Sequence, residues 1–167
     1  NFQTAIKHNP KLVGAYIGLA DALRQTEQYE QAIIACKVAL EIESTVQAHT
    51  KLAIIHIDMG NYEAAKVNVD KILHIEPENP SAYLLYGNIL KQQQQIEEAI
   101  IQYQKAIALK PDYVEVYNHL AITVEKCGNV NEAVAWYQRS LKIKPTHDAY
   151  NNLAILYRKQ VKIEEAI

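Results

Sequence analysis

The stretch Pro80-Ser-Ala-Tyr83-Leu-Leu-Tyr86-Gly87-Asn-Ile-Leu90 leads through a polar tract to Ile96, Ala99, Tyr103 and Ala106, and stops at Pro111. Apolar side chains return every three or four residues on both sides of the glutamine run at 92–95. That is the signature of two amphipathic helices joined by a short turn. With Pro80 as position 1 and Tyr113 as position 34, position 4 is aromatic, 7 and 11 are bulky, and 17 is apolar. Positions 8, 20 and 27 are tiny, 24 is aromatic, and 32 is proline. The tiny residues let two helices approach closely, and the bulky ones fill the space beside them. The proline stops the second helix.

The same unit recurs along the chain, and a repeat is the first thing to establish in a sequence. Residues 13–45 supply Tyr16, Leu19, Ala20, Leu23, Tyr29, Ala32, Cys36, Ala39 and Ser44. Residues 46–79 supply His49, Leu52, Ala53, His56, Tyr62, Ala65, Val69, Ile72 and Pro77. Residues 114–146 supply Tyr117, Leu120, Ala121, Val124, Val130, Ala133, Tyr137, Ser140 and Pro145. A further unit begins at 147–167, and Phe2, Ala5 and Pro10 match the end of a partial one at 1–12.

These residues resemble the tetratricopeptide repeat, whose motif runs Trp-x-x-Leu-Gly-x-x-Tyr, then Ala, Phe, Ala and Pro. The likeness spans all 167 residues. It implies an all-α fold, a right-handed superhelical solenoid of antiparallel helix pairs, organised as one continuous array. First helices would line a concave groove and second helices form the convex back. The chain opens inside a helix pattern, so a longer array is expected.

The pattern predicts helices at 1–9, 13–25, 29–42, 46–59, 62–75, 80–93, 96–109, 114–127, 130–143 and 147–160. Asn79 before Pro80 is a candidate N-cap, and Asn129 with Glu132 a candidate capping box. Gly60 and Gly128 stand where a first helix should end in a left-handed residue. Glu27, Gln94 and Val161 hold that place in the other units. A β-branched residue is strained there, so the turn at Val161 should be rearranged or poorly ordered.

Composition narrows the function. Net charge is −2 and no Lys/Arg block exists, so nucleic acid is not the default partner. No apolar run approaches the roughly 20 residues of a membrane span. Cys36 and Cys127 fall three units apart, out of disulfide reach. Two unpaired thiols fit a reducing, cytoplasmic setting. His49 and His56 are two turns apart on one helix, roughly 10 Å, too far to share a zinc ion. Both are expected to be buried, hydrogen-bonded packing residues. No metal, cofactor or nucleophile motif is present, so no enzyme activity is expected. Ten of the eleven tyrosines fall on repeat positions and read as core. Trp136 does not, and is a candidate exposed anchor.

What remains is the groove, toward which positions 2, 5, 6, 9, 12 and 13 of each first helix should point. Position 5 reads Ile17, Thr50, Leu84, Asn118 and Asn151. Position 9 reads Asp21, Ile54, Asn88, Ile122 and Ile155, and position 12 includes Arg24, Lys91 and Arg158. Amides for main-chain groups and isoleucines for apolar anchors suit an extended peptide or a partner helix. The function expected is therefore protein–protein interaction. The rival readings are the arm of a larger enzyme, such as a glycosyltransferase, and self-assembly.

The family's carboxylate clamp would need Lys and Asn at positions 5 and 9, and its first unit here offers Ile17 and Asp21. The asparagine ladder of O-linked N-acetylglucosamine transferases would need Asn at position 6, where only Asn152 complies among Gly18, Lys51, Leu85 and His119. Residues 1–9 of one copy could also dock beside residues 147–167 of another and extend the array head to tail.

Overall fold

The computed structural model describes residues 2–164. Among them it contains ten helices and no strand: α1 (Phe2–His8), α2 (Val13–Gln25), α3 (Tyr29–Ile42), α4 (Val46–Asp58), α5 (Tyr62–Ile75), α6 (Pro80–Gln92), α7 (Ile96–Leu109), α8 (Val114–Lys126), α9 (Val130–Ile143) and α10 (His147–Glu164). The chain divides into two compact units, Asn1–Leu85 and Tyr86–Ile167, with the division inside α6. Within the first, α2 pairs with α3 and α4 with α5; within the second, α8 pairs with α9.

The small residues lie where helices meet. Ala20, Ala32 and Ala39 are wholly buried, as are Ala53 and Ala65, Ala99 and Ala106, and Ala121, Ala133 and Ser140. In the first unit Ala20, Ala32, Ala35 and Cys36 form one cluster with Leu52 and Ile55. In the second, Tyr103, Tyr137, Ile89, Leu120 and Leu156 are among the large side chains closed off from water. Each such side chain contributes roughly 1.5–3 kcal/mol by burial. Gly87 belongs to this close packing. A Cβ there would lie 2.5 Å from the Tyr103 ring, so the glycine at position 8 and the tyrosine at position 24 fit each other.

All four turns inside the units close in the same way. The N–H groups of Gln28, Asn61, Gln95 and Asn129 donate to the carbonyls of Leu23, His56, Leu90 and Val124. One residue earlier, Glu27, Gly60, Gln94 and Gly128 donate to Arg24, Ile57, Lys91 and Glu125. These paired bonds make a Schellman motif, and all four residues have positive φ, from 58° to 82°. At Val161 there is no such turn. α10 runs on to Glu164, eighteen residues long where the pattern places a break after 160. A helix is the cheaper course for a β-branched residue that resists positive φ. Of the segment expected to fray at 163–167, the first two residues continue α10 and residues 165–167 lie outside the described residues.

The caps divide. Asn79 Oδ1 accepts from the N–H groups of Ser81 and Ala82 at 2.9 and 3.2 Å, as expected. Thr45 caps α4 through Ala48. The capping box at Asn129 does not form. Its N–H is already committed to Val124, and its ψ of 64° is outside the extended region a side-chain cap requires. Glu132 accepts instead from the Trp136 indole.

Links between successive units explain two unusual residues. Tyr83 and Tyr117, at position 4, donate to the carbonyls of Pro77 and Pro111, at position 32 of the preceding unit. His49 stands at position 4 as well, and its Nε2 lies 3.3 Å from the hydroxyl of Ser44, again position 32. Its Nδ1 bonds Asn68 at 3.0 Å. The serine–histidine pair replaces the proline–tyrosine pair. His49 is thus a bonded packing residue, as its position predicts. His56 is half-buried but its Nδ1 lacks a partner, so for it the expected hydrogen bond is absent; burial lowers its pKa. Cys36 is buried and Cys127 exposed, both free. Burial pushes the Cys36 thiol up to about 11.

Two tyrosines depart from the core reading. Tyr150 and Tyr157 are 55% and 44% exposed. They lie on α10, whose main neighbour is α9, so that face goes uncovered among the described residues. Trp136 is no exposed anchor: it is half-buried, 5.9 Å from the Tyr117 ring, with the Arg139 guanidinium over its face.

Candidate functional site

The groove positions fall into two groups, one in each unit. In the first unit, α2 and α4 present charges that satisfy one another. Lys51 donates to Asp21 at 2.8 Å, and Arg24 to Asp58 at 2.9 Å. The hydrogen bond from Lys51 and the nearby Arg24 hold the Asp21 carboxyl below its usual range. Thr50 turns its hydroxyl back to Val46 O, and Ile54 is half-buried. Ile17 and Leu84 do not present themselves at all: they are 9% and 4% exposed. Position 5 lies close to the helix contact, so a large apolar side chain there turns into the core.

The second unit is different. An open cleft of about 390 Å³ lies along α8 and α10, lined by Glu115, Asn118, His119 and Ile122 from α8 and by Asp148, Asn151 and Asn152 from α10. Of the expected groove residues it gathers Asn118, Ile122 and Asn151. Asn88 and Lys91 are half-buried on α6, while Ile155 and Arg158 are exposed on α10. Glu115, His119, Asp148 and Asn152 join the cleft from positions 2 and 6, which carry the same inward signal.

Two of the asparagines are held in place from behind. The Ser140 hydroxyl, fully buried on α9, donates to Asn118 Oδ1 at 2.8 Å. The Tyr103 hydroxyl on α7 donates to Asn88 Oδ1 at 2.8 Å. In each case the amide oxygen is engaged and the NH2 group is left to donate. Beside them His119 stacks on Tyr103 with ring centroids 6.0 Å apart. Its Nδ1 is 3.4 Å from Lys91 Nζ, and its Nε2 is 3.8 Å from Glu115. Nδ1 must accept from the ammonium, so Nε2 carries the proton. His119 in turn holds the Glu115 carboxyl below its usual range. Burial lowers the pKa of Lys91, and the charge on Lys126 adds to it. The Tyr137 hydroxyl is buried near Asn152, and burial pushes it up to about 12.

Among the described residues no cluster of three His, Cys, Asp or Glu could hold a metal ion. None of the described helices is long and apolar enough to cross a membrane. The Ser44–His49–Asn68 relay has the connectivity of a nucleophile with its base, but its place in the repeat accounts for it.

Four family models match the chain, all of the tetratricopeptide repeat, at residues 1–45, 56–102, 87–128 and 114–147. The chain belongs to the tetratricopeptide-repeat (TPR) family. Its fold is an all-α TPR solenoid and, as such, a protein-interaction scaffold. No curated protein sequence matches it. Among solved structures it is similar to Pseudomonas aeruginosa PilF, at 25% identity and a TM-score of 0.78 over 90% of this chain and 69% of that one. It is also similar to MamA, at 25% identity and a TM-score of 0.68 over 92% and 85% of the two chains. YrrB, described as a TPR protein with an unusual peptide-binding site, aligns over 100% of this TPR chain and 87% of its own, at 24% identity and a TM-score of 0.64; that likeness is one of fold.

Proposed function

We propose that this TPR chain is a non-catalytic module that binds an extended peptide or helix of a partner protein in the cleft along α8 and α10. The observation that carries the reading is Asn118, a cleft residue pinned from behind by Ser140 with its NH2 group left unused; Asn88, pinned by Tyr103, repeats the arrangement on neighbouring α6. An amide oriented before binding loses less freedom on binding. Amide donors match the carbonyl oxygens that a peptide main chain repeats at every residue. Ile122 supplies an apolar contact between the polar groups. The first unit is a weaker candidate because Asp21 and Arg24 already have partners.

Selection of a phage-displayed random dodecapeptide library on the chain tests this. Enriched peptides should lose at least tenfold in affinity when Asn118→Ala and Asn151→Ala are combined, and keep it in Asp21→Asn. Equal affinity for the wild type and the double variant would refute the reading.

A second reading has its own observation. Tyr150 and Tyr157, two turns apart, leave an aromatic face exposed on α10, which favours self-association through the 147–167 segment. Sedimentation equilibrium should then show mass that grows reversibly with concentration and is reset by Tyr150→Asp. Its proposed counterpart at 1–9 is partly spent, because the Phe2 ring lies against Gly18 on α2.

A further inference from the structure

Position 12 of one first helix faces position 13 of the next, and the chain shows this twice with charges. Arg24 pairs with Asp58, and Glu125 pairs with Lys159. The signs are reversed between the two, yet in each the register brings opposite charges together. The same register in the second unit joins α6 to α8 and sets Lys91 against Lys126. Two cations stand where both of those junctions hold an ion pair, while the second and third repeats put the uncharged Ile57 and Gln92 at the same two positions. Neither is paired with a carboxylate among the described residues. The contact Lys91 does make is with a histidine nitrogen.

One structural explanation is available: cations near the last turn of a helix are favoured by the backbone dipole. It applies to each lysine alone. It does not explain why Lys91, half-buried, tolerates Lys126 beside it, since burial and a neighbouring like charge both work against an ammonium. The neighbouring groups extend the pattern. Asn88 and Lys91 are three apart on α6, and Asn118, Ile122 and Lys126 are four apart on α8, so each set shares a helix face. Both asparagines have their oxygens engaged. The inner face here therefore offers donors, two amide NH2 groups and two ammonium groups, and calls for a ligand made of acceptors.

We propose that the α6–α8 junction is a carboxylate seat: an acidic side chain of the bound peptide lies between Lys91 and Lys126, in the place that Asp58 takes between α2 and α4 and Glu125 between α8 and α10, while its neighbouring carbonyls meet Asn88 and Asn118. The proposal rests on the groove reading above and gives its partner a chemistry, a segment carrying Asp or Glu. The opposite edge of the cleft, with Glu115 and Asp148, repels a second acidic group and so fixes where along the peptide the carboxylate falls.

The test is the dodecapeptide selection run on the wild type, on Lys91→Gln combined with Lys126→Gln, and on Lys142→Gln as an exposed control from α9. Wild type and control should enrich Asp or Glu at one fixed position of the aligned peptides. The double variant should lose that enrichment, and a selected peptide should bind it at least fivefold more weakly. Replacing its acidic residue with Gln should cost the wild type the same factor and the double variant nothing. Peptides that depend on Asn118 and Asn151 but show no acidic preference would overturn the seat and leave the groove standing. Acidic enrichment that survives in the double variant would overturn it as well. If no peptide is enriched at all, both readings fall together.

Discussion

Glu27 and Gln94 hold the left-handed conformation that Gly60 and Gly128 hold in the equivalent turns. A side chain there costs roughly 1–2 kcal/mol, part of which glycine returns as unfolded-chain entropy. Glu27→Gly and Gln94→Gly should each stabilise the fold by about 1 kcal/mol, or about 2–4 °C in Tm for a chain of this size. Thermal unfolding followed by circular dichroism checks it; a fall in Tm would show that those side chains make a contact worth more than the strain. Asp21 sets the response to acid. Its folded pKa is depressed, mainly by the hydrogen bond from Lys51. Its stabilisation is therefore complete above the unfolded value of about 3.9 and is lost as pH falls through the lower folded value. Asp21→Asn should flatten the decline in stability below about pH 4 and leave its shape near neutrality unchanged, as urea titrations across pH 2–7 would show.

At the scale of the element, the turns make a sharper forecast than propensity does. Where a Schellman motif ends one helix, its last residue starts the next and has spent its N–H. Asn129→Ala should then cost under about 0.5 kcal/mol, while Asn79→Ala and Thr45→Ala, which remove real caps, should each cost about 1 kcal/mol. Urea midpoints of the three variants would decide it. The ten helices were legible because a 3.6-residue pattern, a fixed period and tiny residues at positions 8, 20 and 27 all agree. The failed capping box shows the limit. Asn-x-x-Glu names groups able to bond, and the preceding residue's φ decides whether they can. The end of α10 shows another: the repeat calls for a turn at 161, and Val161 does not supply one.

At the scale of the whole molecule, the inward positions of a solenoid say which side chains face a groove, but not which are free to bind. Asp21 and Arg24 face it and are consumed by Lys51 and Asp58. Ile17 and Leu84 hold an inward position yet are buried, because size at position 5 decides between groove and core. The hydroxyls that orient Asn88 and Asn118 come from second helices, 15 and 22 residues away in sequence, and no spacing rule points to them. Charge behaves alike: Lys91 and Lys126 mean little until the ion pairs at the same register, Arg24–Asp58 and Glu125–Lys159, show what they lack. Binding in the cleft is decided by where a ligand settles. The measurement is an ¹H–¹⁵N chemical-shift titration of the intact chain with a library-selected dodecapeptide. It should move the side-chain amides of Asn118, Asn151 and Asn152 and the backbone of Ile122, with α7 and α9 unmoved on their outer faces. Shifts confined to those outer faces, or to the apolar groove between Tyr16 and Ile34 on α2 and α3, would contradict it.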